Sequence, residues 1–411
     1  MPTEPARLPD LSRAELVRVG LEYMLVGHLH DRALMPQAIT AFGMDEMLPL
    51  SVAEWQGASP NYTHRMRRLM RIDGDDVTAI FKALQLDVGF THQYMDVAYE
   101  VTDDHHGSFW LNHCGALTDV EPMGEELVVT MCHHIEDPTF DATAVATNPR
   151  ARIRPVHRPP RRPADRHPHC HWTLTIDPTA EPIAPHPLTT EVADLPLARV
   201  PNERPAGPAD GGLDDYAGPF DPGFSLGALS RPALVAVLRE FALQCALLSA
   251  AAELHLRAAH DRAAAREVLA AQWEGVCWVV AERLAACLGV ERGGLDAAAR
   301  VVALHPAVPP GIDVTVEVLD ERSARVAFSG PVELLDPDAP GWVGLVAADE
   351  PRGLAAMVQA VEPRAVLART GPRTFGITVD PDAEPATPPR SAQLTRLSTA
   401  ADWRFTPVRL R

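Results

Sequence analysis

Lysine is almost missing from this chain of 411 residues: Lys82 is the only one, against 36 arginines. Burial can shift a lysine to its neutral, nucleophilic form whereas arginine keeps its charge, so lysine chemistry has a single candidate, and the imbalance reads as compositional bias rather than function. Cysteine is scarce as well. Six in a chain of this length cannot form a disulfide scaffold and are expected as thiols or ligands in a reducing compartment. Long apolar runs are absent too: the longest uncharged, largely apolar stretch is 241 to 252, short of the ~18 residues of a membrane span. The opening residues MPTE lack the basic and apolar regions of a signal peptide, so the expectation is a cytoplasmic protein with no membrane partner. Positive charge is in deficit, and a net charge of −18 repels polyanions, which argues against a nucleic-acid partner. What remains is ordinary globular composition, 46% hydrophobic and 22% charged, long enough for two domains of about 200 residues.

The chain contains one unit twice. Leu11-Ser12-Arg13 repeats as Leu229-Ser230-Arg231, and the same offset of 218 superposes Glu22 on Glu240, Tyr23 on Phe241, Trp55 on Trp273 and Gly57 on Gly275. An offset of 217 aligns MDVAYEVTD at 95 to 103 with IDVTVEVLD at 312 to 320, and Leu117 and Asp119 with Leu334 and Asp336. An offset of 203 aligns TIDPTAEP at 175 to 182 with TVDPDAEP at 378 to 385, so the first copy carries 14 extra residues between about 120 and 170. Each copy reads as helices followed by strands. Apolar positions at helical spacing cover 14 to 38 and 232 to 259, with Ser230 as N-cap. Two-residue alternation then predicts antiparallel strands at 95 to 101 and 109 to 112, joined by the turn DDHHG, and at 312 to 319 and 324 to 329. Helices are predicted at 123 to 136 and 342 to 361, and final strands ending near 177 and 380. The fold class is therefore α+β, a tandem duplication of a helices-plus-antiparallel-sheet domain. The predicted divisions are an active copy at 1–182, a Pro/Gly-rich linker at 183–228, a degenerate scaffold copy at 229–385, and an irregular tail at 386–411.

Duplication supplies an internal control, because what the fold needs persists in both copies and chemistry can survive in one. Fourteen of the seventeen histidines precede residue 187. His28, His30 and Asp31 face Ala246, Leu248 and Ser249; His113, Cys114 and Cys132 face Gly330, Pro331 and Asp349. The cysteines of the second copy, Cys245, Cys277 and Cys287, sit in apolar helical runs as small hydrophobes. The first copy holds HCG at 113 to 115, MCHHIED at 131 to 137 and HPHCHW at 167 to 172. Thiolates and imidazoles either ligate a borderline metal or act as nucleophile and base. Cys114 and Cys132 form the expected centre. Cys132 and Glu136, four apart on a helix, share a face; for thiolate attack, His113 or His133 would lower the Cys114 pKa and Glu136 or Asp137 would orient that imidazole. A metal site of Zn or Fe would draw on Cys114, Cys132, His133, His134 and His92. Cys170 aligns with core positions, while His28, His30, His105 and His106 read as surface or boundary residues and His167 and His169 as an adventitious strip.

Within the extra chain, Arg150, Arg152 and Arg154 fall on one side of an extended segment that continues to Arg158. Guanidinium forks suit carboxylate or phosphate, so these four are candidates for holding a small anionic substrate; the alternative is an edge strand protected by charge and proline.

The run FWLNHCGAL at 109 to 117, followed by MCHHIEDPTF at 131 to 140, resembles the L-2-amino-thiazoline-4-carboxylic acid hydrolase family over residues 95 to 175. The resemblance implies an α+β domain with a thiol-containing site, at Cys114, Cys132 and Asp137, that opens a C–N or C–S bond in a small cyclic amino acid derivative. The expected function is thus a hydrolase of a small anionic substrate, working by thiolate attack or metal-activated water. The alternative is a non-catalytic metal- or haem-binding module for sensing or transport.

Overall fold

Ser12 and Ser230 each begin a long helix for the same reason: the hydroxyl accepts an N–H of the first turn, from Glu15 and Ala233 respectively, at 3.3 Å. The next residue explains why Leu-Ser-Arg persists in both copies. Arg13 Nε donates to the Leu229 carbonyl and Arg231 Nε to the Leu11 carbonyl, each at 2.8 Å. Each copy thus ties down the start of the other. In the computed structural model, residues 5–396 apart from 206, 208 and 209 are described.

The first copy runs α1 (Arg13–Phe42), α2 (Met47–Met70), α3 (Val77–Leu84), β1 (Met95–Val101), β2 (His106–Cys114), α4 (Gly115–Val120), α5 (Glu125–Val129), a π-helical turn (Thr130–Ile135), α6 (Glu136–Val145), β3 (Ala151–His157) and β4 (Cys170–Ile176). After α7 (Pro187–Asp194) the second copy runs α8 (Arg231–Ala259), α9 (Arg262–Cys287), α10 (Leu295–Ala303), β5 (Asp313–Asp320), β6 (Ser323–Ser329), α11 (Trp342–Ala347), α12 (Pro351–Gln359), β7 (Ala365–Gly371) and β8 (Thr374–Val379), with α13 (Arg390–Arg396) beyond. Both sheets are antiparallel and share one order, β1-β2-β4-β3 and β5-β6-β8-β7. Their registers match through the body of the strands, apart from a bulge at Asp96 and Val97 that β5 does not share. Tyr99 pairs with Phe109 and Phe109 with Trp172, as Val316 pairs with Val326 and Val326 with Phe375.

Three expectations need correction. The extended arginine segment is not peculiar to the first copy: it is the edge strand β3, and β7 is its counterpart, Arg152 facing Thr175 as Val366 faces Thr378. Most of the extra chain is instead the loop 158–169 between β3 and β4, where the second copy has only Pro372 and Arg373. The segment 183–228 is no bare linker, since it contains α7 and buries Tyr216 and Phe224. The tail holds α13, whose Ser391 hydroxyl donates to Glu274 at 2.6 Å; residues 397–411 lie outside the described residues.

The helices interleave across a pseudo-twofold axis, α1 packing chiefly on α9 and α2 on α8. The relation is isologous in the sense that a pair i–j recurs as its mirror. Arg65 pairs with Glu240 at 2.6 Å, and their counterparts in the opposite copies, Arg283 and Glu22, also pair at 2.6 Å. One core joins these helices to the second sheet, while the first sheet keeps its own core around Phe109, Trp172, Phe81 and Leu174. Helix α8 is long and apolar enough to cross a membrane by composition, with a mean hydropathy of 1.6, yet 94% of that window is buried within the protein. It is a core helix.

Candidate functional site

The thiols come together. Cys114 ends β2, Cys132 lies in the π-helical turn and Cys170 opens β4, all buried in the core of the first sheet. Gly115 permits this corner, because a Cβ there would lie 1.8 Å from the Tyr94 ring. The Glu136 carboxyl faces the three thiols as the spacing from Cys132 predicts. Burial, then the charge of Glu136, pushes Cys114 up to about 12 and raises Cys132 and Cys170. Burial also lifts Glu136 to about 8, against the pull of Arg158, and its Oε2 has no hydrogen-bond partner. The first copy's loop 158–169 is tied to the elements around it: the Pro159 carbonyl receives His133 Nε2 at 2.7 Å and Arg161 grips Glu121 at 2.7 Å. These are protonated thiols around a carboxylic acid, a poor nucleophilic site.

The histidines and arginines are placed differently from the sequence expectation. The Cys114 sulfur accepts from Leu117 N–H at 3.4 Å. His169 accepts the Cys114 backbone N–H at 3.2 Å, its pKa lowered to about 4 by burial and by Arg161 and the histidines beside it. His113 stacks at an angle on His169, ring centres 5.4 Å apart, on the side of the strand away from the thiol core. His92 Nε2 meets the Gln85 carbonyl at 2.8 Å and His134 is exposed. The metal set Cys114, Cys132, His133, His134 and His92 is therefore not assembled. Asp137 turns outward to Arg158 at 2.5 Å. Arg150 and Arg152 hold the carbonyls of Ala180 and Glu181 at 3.1 and 2.6 Å, and Arg154 holds Asp141 at 2.9 Å. They brace the edge strand. Arg158 alone lies near the thiols, its guanidinium 5.9 Å from the Trp172 ring centre.

A different constellation forms inside the helices. Among the described residues the one group of three or more His, Cys, Asp or Glu ligand atoms within 4.8 Å of one another is His30, Asp31 and Glu54. His30 and Asp31 are adjacent on α1, and Glu54 faces them from α2. His30 Nδ1 stands 3.7 Å from Asp31 Oδ1 and 3.7 Å from Glu54 Oε2. That is too long for a hydrogen bond and close to the separation of about 3.4 Å between ligand atoms bound tetrahedrally at about 2.1 Å. His30 and Glu54 side chains are 0% exposed, yet both imidazole nitrogens, both Glu54 oxygens and Asp31 Oδ1 have no hydrogen-bond partner. Buried polar atoms left so cost about 1–3 kcal/mol each. Burial and the Asp31 charge raise Glu54 well above the usual carboxylate range. Burial acts on Asp31 in the same sense but is outweighed by His30 and Glu54, which leave it lowered. Asp31 is 29% exposed and connects the centre to solvent, its Oδ2 held by Trp55 Nε1 at 3.2 Å.

The second copy shows the same place without chemistry. The counterparts of the triad are Leu248, Ser249 and Gln272, and Trp342 closes the space: its indole N–H donates to Gln272 Oε1 at 2.8 Å and its backbone N–H to Ser249 Oγ at 3.0 Å. In the first copy the residue at the position of Trp342 is Glu125, which opens α5 after Gly124 as Trp342 opens α11 after Gly341, both glycines at positive φ. Glu125 points outward to Arg162. Sequence comparison had exposed His30 and Asp31 as unshared, but the helix position suggested a boundary; Glu54 against Gln272 was the missed signal. Between the triad and the thiols lie Arg32 and Tyr94, both bonded to Asp119, and His28, edge-on to Tyr94 at 4.7 Å. Compared with protein-family models, curated proteins and solved structures, the chain matches none.

Proposed function

We propose that the first copy is the working half of a metal-dependent hydrolase and that His30, Asp31 and Glu54 hold a divalent ion. The observation that carries this reading is that His30, Asp31 and Glu54 bring one ligand atom each within 4.8 Å of one another, while five of their buried polar atoms make no hydrogen bond of ordinary length. One imidazole and two carboxylates suit Zn, Fe or Mn better than the soft ions that thiolates select. Three protein ligands leave a position for water, whose acidity a bound ion raises. Asp31 gives that position a way to solvent, and Trp55 holds the carboxylate in place. The metal-water route is favoured over thiolate attack because Cys114 is held protonated by burial and Glu136. The resemblance over residues 95–175 supports a C–N or C–S bond of a small amino-acid-like anion as the target. Complete burial of His30 and Glu54 favours a second reading, an ion that serves binding or structure alone.

Chain purified without a histidine tag should contain about one Zn, Fe or Mn per molecule by elemental analysis, lost in Glu54→Gln. Loaded protein should then open small cyclic amino acid derivatives. Metal without turnover would select the second reading, and metal-free protein that takes up none of the three ions would refute both.

A further inference from the structure

A cavity of about 400 Å³ opens where the chain after α7 crosses α8 and meets the 303–314 loop, about 10 Å along α1 from His30 at a rise of about 1.5 Å per residue. Tyr23, Arg65, Asn202, Arg239, Glu240 and Asp313 line it. Its polar groups divide into satisfied and unsatisfied. Arg65 is neutralised by Glu240, and Tyr23 donates to the Leu304 carbonyl at 2.6 Å. Asn202 Nδ2 donates to the Ala236 carbonyl at 2.9 Å and to Glu240 Oε1 at 3.0 Å. Two acceptors fix the amide's orientation and leave Asn202 Oδ1 buried with no donor. Arg239, half-buried on α8, has no hydrogen bond or ion pair among the described residues, and its charge is felt by the Tyr23 hydroxyl.

The internal control separates these groups from the demands of the fold. Glu240 and Arg65 are repeated as Glu22 and Arg283, whereas the counterpart of Arg239 is Leu21. Asn202 belongs to the segment between the copies and has no counterpart. We propose that this cavity is a second binding site and that its ligand is a free α-amino acid. The carboxylate would take the Arg239 fork, a geometry guanidinium matches bidentately. The ammonium group would meet the exposed Asp313 carboxylate, which lines the same cavity. The volume lies within the range of small-molecule sites.

The test is calorimetric titration of the full chain with each of the twenty amino acids, with acetate, and with N-acetylglycine, in wild type, Arg239→Leu and Arg239→Lys. At least one amino acid should bind with a saturable isotherm, more tightly than acetate or N-acetylglycine. Arg239→Leu should weaken that binding about ten-fold to a hundred-fold and Arg239→Lys by less, with the melting temperature of the unliganded protein unchanged; Arg239→Gln replaces the leucine variant if that one fails to fold. Binding should persist in His30→Leu/Asp31→Ser/Glu54→Gln, which separates this site from the metal centre. Absence of binding by every amino acid, equal affinity in Arg239→Leu, or preference for acetate would each overturn the proposal.

Discussion

Gln272 stands in α9 where Glu54 stands in α2, and only Gln272 is satisfied: it accepts from Trp342 Nε1 at 2.8 Å, while both oxygens of Glu54 are buried without a partner. The same backbone therefore carries a neutral, closed arrangement in one copy and a charged, unclosed one in the other. A site that costs stability in the unliganded protein is a site that ligand binding can repay.

The second copy supplies its own control variant. His30→Leu/Asp31→Ser/Glu54→Gln should fold in the presence of chelator at least as stably as the wild type, because it replaces a buried imidazole with an apolar group and two acids with neutral groups, and an uncompensated buried charge costs more than an unpaired neutral group. Addition of Zn²⁺ should raise the melting temperature of the wild type and leave the variant where it was. Calorimetry with and without chelator reads both; a variant destabilised by more than about 3 kcal/mol would mean that the triad is satisfied within the protein.

Glu136 predicts a particular pH profile. Its folded pKa of about 8 lies above the ordinary 4.5, so folding favours the protonated acid. The stabilisation is complete below about pH 4.5 and is lost as the pH rises through about 8. Relative to the wild type, Glu136→Gln should gain stability between pH 5 and 9, measured as the difference in melting temperature. A constant difference across that range would contradict the placement of the carboxyl among the thiols.

The reciprocal ion pairs should be unequal. Glu240 is 2% exposed and Glu22 13% exposed, and Arg65 also holds the carbonyls of Ala198 and Val200 at 2.9 and 2.8 Å. Arg65→Ala leaves the more deeply buried charge and should cost about 3–5 kcal/mol, with Arg283→Ala costing less. Urea denaturation of the two single variants decides the order.

The thiols should be inert in the folded chain. With Cys114 pushed up to about 12 and Cys132 and Cys170 raised by burial and Glu136, iodoacetamide at pH 8 should label none of the three within minutes, while denaturant exposes all of them. Rapid labelling of Cys114 under native conditions would return the thiolate route to first place.

The duplication was legible because folding requirements repeat: Ser12 and Ser230 both cap a helix, and the strand blocks kept their alternation in both copies. The thiol cluster was legible for a similar local reason, since Cys132 and Glu136 share a helix face and Cys114 ends a strand whose inward side is apolar. The arginines misled. A row of like charges along an extended segment looks the same whether it faces a ligand or braces an edge, and the carbonyls of Ala180 and Glu181 that occupy Arg150 and Arg152 come from a loop about 30 positions away.

Local patterning by itself determined the first helix and the first strand pair of each copy, the duplication, and which copy kept its polar groups, because capping, periodicity and alternation act between residues a few positions apart. Only the tertiary structure decided which of those polar groups meet. His30 and Glu54 lie 24 positions apart on separate helices, and nothing in either helix reports that α2 presents Glu54 to α1 rather than to water. That depends on the interleaving of α1 with α9 and α2 with α8. Burial across that interface removes the solvent that would otherwise satisfy these groups, and it brings a glutamate and a histidine that read as a boundary residue into one cluster of unsatisfied polar atoms.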